Sequence, residues 1–199
     1  MTNRTLVVSI DALITADIPV LKQLPNLGRV MEHASLITDI ECIYPTLTYP
    51  CHATIATGCW PDRTGINNNE IPDFFAKGRM DWYWWREAIQ VPTVVDFARQ
   101  AGLTASTVTW PVMCASGAEY NIGEIWAPRE EDDPTPWFTR ANSPAVAKIF
   151  EANKHMLRWM KTPQMDEFAA KCAADIIRAH RPDLMLLHLS YVDHQRHRL

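Results

Sequence analysis

Leu6-Val7-Val8-Ser9-Ile10-Asp11 is the stretch on which the reading of this chain turns. Aliphatic and β-branched residues run almost without interruption and stop at a carboxylate, the pattern of a strand buried on both faces. A second such run, Leu184-Met185-Leu186-Leu187-His188-Leu189, lies near the other end. Residues 103–109 give a third, halted at Trp110-Pro111, and residues 36–43 read as a fourth. Between these runs the periodicity changes to helical. Residues 25–33 place Leu27, Val30 and Met31 at helical spacing behind a first-turn proline, with Gly28 weighing against the assignment. Residues 49–57 stop at Gly58, a residue type that closes helices. Residues 93–100, 143–160 and 164–180 complete the set; the last carries Phe168, Cys172, Ile176 and Ile177 on one stripe and ends before Pro182. Strands alternating with helices predict an α/β fold, a largely parallel sheet with helices on both faces.

Composition bounds the function classes. The 199 residues fit one domain or two small ones, and 47% hydrophobic content excludes a disordered chain. Nineteen basic against 23 acidic residues, a net charge of -4, exclude the electrostatic footprint of a nucleic-acid coat protein. No apolar run approaches the roughly 18–20 residues of a membrane helix. The first strand begins almost at once with no leader before it, so a cytoplasmic location is the expectation. Five cysteines, at 42, 51, 59, 114 and 172, are odd in number and lack zinc-finger spacing, which agrees with a reducing compartment. Oligomeric state has no readable signal.

In open α/β sheets, sites gather at the carboxyl ends of strands. Three polar clusters fall there: Asp11; Thr46-Leu47-Thr48-Tyr49-Pro50-Cys51-His52; and Asp193-His194-Gln195-Arg196-His197. Each alone reads as a cap, a turn residue or a surface pair. Together they form a hard, partly imidazole donor set suited to zinc or manganese. A helix N-terminus beside a threonine hydroxyl also offers N–H donors to a phosphate next to a group that can attack it. Cys51 and His52 point about 100° apart on a helix and read as packing residues rather than a thiol–imidazole pair. Trp82-Tyr83-Trp84-Trp85, with Phe74 and Phe75, reads first as packing and second as a base-stacking surface. The acidic run 130–133 reads as a solvated loop, and His188 as a core or sheet-edge histidine.

A resemblance sharpens this. Val8-Ser9-Ile10-Asp11, then Tyr44-Pro45-Thr46-Leu47-Thr48-Tyr49-Pro50-Cys51-His52-Ala53-Thr54-Ile55-Ala56-Thr57-Gly58, then Pro61-Asp62-Arg63-Thr64-Gly65-Ile66 and Asn69, resemble the nucleotide pyrophosphatase/phosphodiesterase family of the alkaline phosphatase superfamily. Trp110-Pro111 and Asp193-x-x-x-His197 are similar to its later landmarks. The resemblance implies two divalent metal ions, usually zinc, with manganese as the other candidate. Asp11 and Thr48 would bind one; Asp193 and His197 would bind the other. Thr48 would be the nucleophile, forming a phosphothreonine intermediate, and Asn69 would donate to a phosphate oxygen; Thr46 reads as a cap or turn hydroxyl. The implied substrate is a small phosphorylated molecule such as a nucleotide. Threonine at the nucleophile position speaks against a sulfatase. Thr64 stands where the family often has histidine, and Leu47 where animal members often have lysine.

The family's later Asp-His-Gly segment and a further histidine are absent from these residues. The expectation is therefore that residues 1–199 are the N-terminal portion of one alkaline phosphatase-like catalytic domain, with residues 70–90 and 111–142 as loop or cap insertions. Such a portion is expected to be inactive alone. Two alternatives stay open: a phosphonate hydrolase or phosphomonoesterase of the same superfamily, and a non-catalytic fragment that binds a ligand or partner.

Overall fold

The aliphatic runs pair side by side. In a computed structural model describing residues 4–72, 81–125, 133–157 and 163–198, strands β1 (Thr5–Ile10), β2 (Ala105–Val108), β3 (Tyr120–Ile122) and β4 (Leu184–Leu189) form a parallel sheet in the order β1-β4-β2-β3. The register sets Ser9 opposite His188 and Ile10 opposite Leu189. The ladder continues one step further, where the Asp11 N–H donates to the Leu189 carbonyl at 2.9 Å. The carboxyl ends of β1 and β4 therefore coincide, and the residues after them share one edge.

Alternate residues of β4 serve opposite faces, as a strand's two-residue period requires. Leu184 and Leu186 pack with Ala56, Val95, Ala98 and Trp110. Met185 and Leu187 pack with Val108, Ile122, Phe168, Cys172 and Ile176. Helices Thr48–Thr57 and Val94–Gln100 supply the first layer, and helix Gln164–His180 supplies the second. The parallel sheet with helices on both faces is thus the one expected. Helix Pro25–Met31 also forms despite its glycine. A β-carbon on Gly28 would lie 2.4 Å from the Lys22 carbonyl oxygen, so the close chain approach there requires glycine.

Three expectations change. Residues 36–43 join no strand: Leu36, Ile37 and Ile40 are exposed, because alternation marks a bondable edge without supplying a partner. The expected helix over 143–160 is divided. Pro144–Val146 and Lys154–Met156 are 3₁₀ turns flanking helix Ala147–Asn153, whose end is held by the Asn153 amide on the Ile149 carbonyl and on Asp175. Residues 158–160 of that expectation lie outside the described residues. The segment 111–142, expected as an insertion, contributes β3 to the sheet and contains helix Thr135–Ala141. Three residues centred on Asn121 are too short and too polar to show a strand period. Asp193 lies on a short helix after β4, Tyr191–Arg196. No described helix is long and apolar enough to cross a membrane.

Candidate active site

Two local features place Thr48. Leu47 is extended and Thr48 opens a ten-residue helix, so its hydroxyl stands at the helix N-terminus, where the backbone dipole favours an anion. The same helix start faces the end of β1, and Thr48 Oγ1 donates to Asp11 Oδ2 at 3.1 Å. Asp11 is further fixed by the Ala12 N–H, which donates to Oδ1 at 3.0 Å. Ala12, at φ 58, and Thr109, at φ 48, follow β1 and β2 in the left-handed region that disfavours side chains. Strained turns of this kind concentrate at functional edges.

Asn69 completes the group. Its side-chain oxygen accepts the Tyr49 N–H at 2.9 Å. That bond fixes the amide's orientation and leaves its NH₂ as the donating end. The segment carrying Asn69 is held by buried Thr64 and Ile66, and by the Gln90 N–H on the Thr64 carbonyl at 3.0 Å.

His52 clamps this arrangement from behind. It is 3% exposed, with Nδ1 2.7 Å from the Thr48 carbonyl and Nε2 2.9 Å from Ser9 Oγ. A carbonyl only accepts, so Nδ1 carries the proton and Nε2 accepts from Ser9. Burial, with His188 adding, pushes its pKa down to about 4, so the ring is neutral at pH 7. Its edge packs on Trp110, whose indole N–H donates to the His52 carbonyl. The Trp110-Pro111 landmark therefore anchors the helix. Cys51 and His52 diverge as expected: the thiol faces Cys42 and the imidazole faces Ser9.

Behind Asp11 lies a buried polar group. His188, 2% exposed, sits with Nε2 3.6 Å from Asp11 Oδ2 and Nδ1 3.8 Å from Glu124 Oε1; Nδ1 is also 3.1 Å from the Thr109 carbonyl. Burial alone would raise the Asp11 carboxyl, but His188, His52 and the Thr48 hydroxyl outweigh it and hold the group below the usual carboxylate range. Burial would lower His188, yet Asp11 and Glu124 outweigh that and raise it. Glu124 is pushed up to about 7, chiefly by burial. The buried Tyr49 hydroxyl lies close enough to Glu124 to oppose part of that rise. His188 is the core histidine expected, but its place beside Asp11 went unread. Glu124 follows a strand too short to be recognised, so no pattern pointed to it.

Asp193 and His197 sit after β4, one helical turn apart, with Oδ1 and Nε2 3.4 Å from each other. Two residues outside the expected set hold their helix. The Asp166 carboxylate accepts the N–H groups of Ser190 and Tyr191 at 2.9 and 3.0 Å. Arg196 makes two bonds, 2.7 and 2.8 Å, to Asp17 beyond β1. Burial and the neighbouring Asp11 carboxylate push the Asp193 pKa up. The donor types suit zinc or manganese. Among the described residues, however, no three His, Cys, Asp or Glu side chains gather as a metal site.

The aromatic stretch packs, as its first reading held. Trp82 and Trp84 stack at 5.5 Å, both lie edge-on to Tyr49, and Trp85 carries Arg140 over its ring. Phe74 and Phe75, and residues 130–132 of the acidic run, lie outside the described residues.

The chain is similar to several known proteins. Venom phosphodiesterase 2 of Crotalus adamanteus is 25% identical over 185 residues, covering 88% of this chain and 18% of its own. The human bis(5'-adenosyl)-triphosphatase is 28% identical over 95 residues, covering 45% of this chain and 20% of its own. Among solved structures, phosphonoacetate hydrolase from Sinorhizobium meliloti bound to phosphonoacetate superposes with a TM-score of 0.66 at 18% identity, over 96% of this chain and 47% of that one. Murine ectonucleotide pyrophosphatase/phosphodiesterase 5, as an inactive threonine-to-alanine variant bound to AMP, superposes at 0.57 and 18% identity, over 98% and 45%. The chain thus spans about a fifth of the length of these curated relatives and about half that of the solved chains. Residues 5–199 match the family model described as type I phosphodiesterase / nucleotide pyrophosphatase, and the chain belongs to that family.

Proposed function

We propose that the protein hydrolyses phosphodiester or nucleotide pyrophosphate bonds with Thr48 as nucleophile. The observation that carries this reading is the Thr48 hydroxyl donating to Asp11 at the start of a helix whose second residue is tied to Asn69. Asp11 is held in its ionised form and accepts the hydroxyl proton's bond, which aims an oxygen lone pair away from the carboxylate. The helix N-terminus favours the substrate phosphate, and the Asn69 NH₂ donates to one of its oxygens. Attack forms a phosphothreonine and releases the alcohol or nucleotide; water then cleaves the ester. His52 is neutral with both nitrogens engaged, so it positions the Thr48 backbone and is not the base.

Asp11 with Thr48, and Asp193 with His197, would each hold one divalent ion, zinc or manganese. Such an ion lowers the pKa of a bound hydroxyl and neutralises phosphate charge. Two protein ligands are half of a tetrahedral set. The remaining ligands are therefore assigned to a longer protein, and residues 1–199 alone are expected to show no turnover. AMP bound to the murine relative supports a nucleotide substrate, and the inactivity of its threonine variant supports the nucleophile.

The test is hydrolysis of bis-p-nitrophenyl phosphate by the full-length protein. Thr48→Ala is expected to lower kcat by at least about 10³-fold with an unchanged circular dichroism spectrum, and chelator to stop the wild type. Turnover within a few-fold of wild type would remove Thr48 from this role. Parallel assays on a phosphonate and a phosphomonoester separate this reading from the superfamily alternatives.

A further inference from the structure

The first turn of the Thr48 helix carries a thiol that the reaction does not use. Cys51 is half-buried, and its N–H donates to the Leu47 carbonyl at 3.0 Å, so its backbone is fixed by the helix. Its sulfur lies 3.5 Å from that of Cys42, nine residues earlier. Cys42 is exposed, in a segment outside any helix or strand. A disulfide holds its sulfurs about 2.0 Å apart, so closure needs an approach of roughly 1.5 Å. An exposed, unpaired segment can supply that movement without disturbing the core. Cys114 and Cys172, by contrast, are buried and have no such neighbour among the described residues.

We propose that Cys42 and Cys51 are an oxidisable dithiol, closing to a disulfide that staples the segment leading into Thr48. Thr46, Leu47 and Thr48 all lie inside the loop so closed. The co-reactant is a small-molecule disulfide such as oxidised glutathione. The exposed Cys42 sulfur attacks one glutathione sulfur, breaking its S–S bond and expelling one glutathione thiolate. The Cys51 sulfur then attacks Cys42, forming the protein disulfide and expelling the second. Two protein thiols are oxidised, one glutathione disulfide is reduced, and the two thiol protons pass to the departing sulfurs. Burial, with the Cys42 thiol beside it, pushes the Cys51 thiol up to about 12, which makes Cys42 the first to react.

The test treats the purified protein with oxidised glutathione, alkylates remaining thiols and digests without reductant. The expected result is loss of two alkylatable thiols, a mass decrease of about 2 Da and a Cys42–Cys51 linked peptide, all reversed by dithiothreitol. Cys51→Ser is expected to stop at a glutathione adduct on Cys42, and Cys42→Ser to yield no link. The proposal is overturned if both thiols stay alkylatable, if wild type stops at the adduct, or if Cys51 links to Cys59. The wild-type result needs no variant to fold, and a covalent bond is read whether or not Thr48 is the nucleophile.

Discussion

Glu124 gives the fold a pH dependence whose size follows from its surroundings. Its carboxyl is pushed from 4.5 to about 7, chiefly by burial, with His188 opposing the shift. A group whose folded pKa is raised stabilises the fold while protonated. That contribution is complete below the unfolded value and is lost as pH rises through the folded one. The window is therefore about pH 4.5 to 7. Integrating the linkage between these two values from about pH 5 to about pH 8 gives a loss of roughly 2–3 kcal/mol. Glu124→Gln keeps the shape of the protonated acid and cannot ionise. Urea unfolding of both proteins at the two pH values isolates the term, because every other titrating group enters both curves. The exception is His188, which Glu124 helps to raise. Its stabilising contribution is also lost as pH rises, so it adds to the same trend in the wild type. The stability gap between variant and wild type is expected to move by roughly 2–3 kcal/mol in the variant's favour at the higher pH. Parallel pH slopes for the two proteins would refute the reasoning and place Glu124 in contact with water.

Two further substitutions probe how the site is held. Gly65 has φ 78, and a β-carbon there would lie 2.5 Å from Gln90 Nε2. Gly65→Ala is expected to cost about 1–2 kcal/mol from the backbone alone and to lower the thermal midpoint by several degrees; an unchanged melt would contradict it. Asp166→Ala removes the acceptor for two N–H groups at the start of the helix carrying Asp193. A cost of about 1–2 kcal/mol is expected, with faster hydrogen exchange over residues 190–197; unchanged exchange there would show that Arg196 and Asp17 hold the helix unaided.

The elements that could be read were those whose period comes from burial. Leu184–Leu189 and Gln164–His180 appear at their expected bounds because their side chains fill two faces and one stripe. Asp11 and the stretch holding Thr48 stood out as candidates because sites in such sheets gather where strands end and helices begin, whereas Asn69, and Thr48 as the nucleophile, were named only by the family resemblance. What escaped depends on partners distant in sequence. His52 gains its role from Ser9, 43 residues away, and its adjacency to Cys51 is misleading because a helix sends neighbours in different directions. Glu124 has no periodic context, and its significance exists only once β4 brings His188 within 3.8 Å. Residues 36–43 show the converse: a strand-like pattern with nothing to pair against stays exposed. Residue pattern therefore marks the groups proposed to face a phosphate, whereas the groups that set their charge and direction are chosen by packing. His188 joins the two, since one strand period makes it core and one register step places it behind Asp11. The buried imidazole of His188 thus links Asp11 on one side to the buried acid Glu124 on the other, a connection that no residue pattern displays.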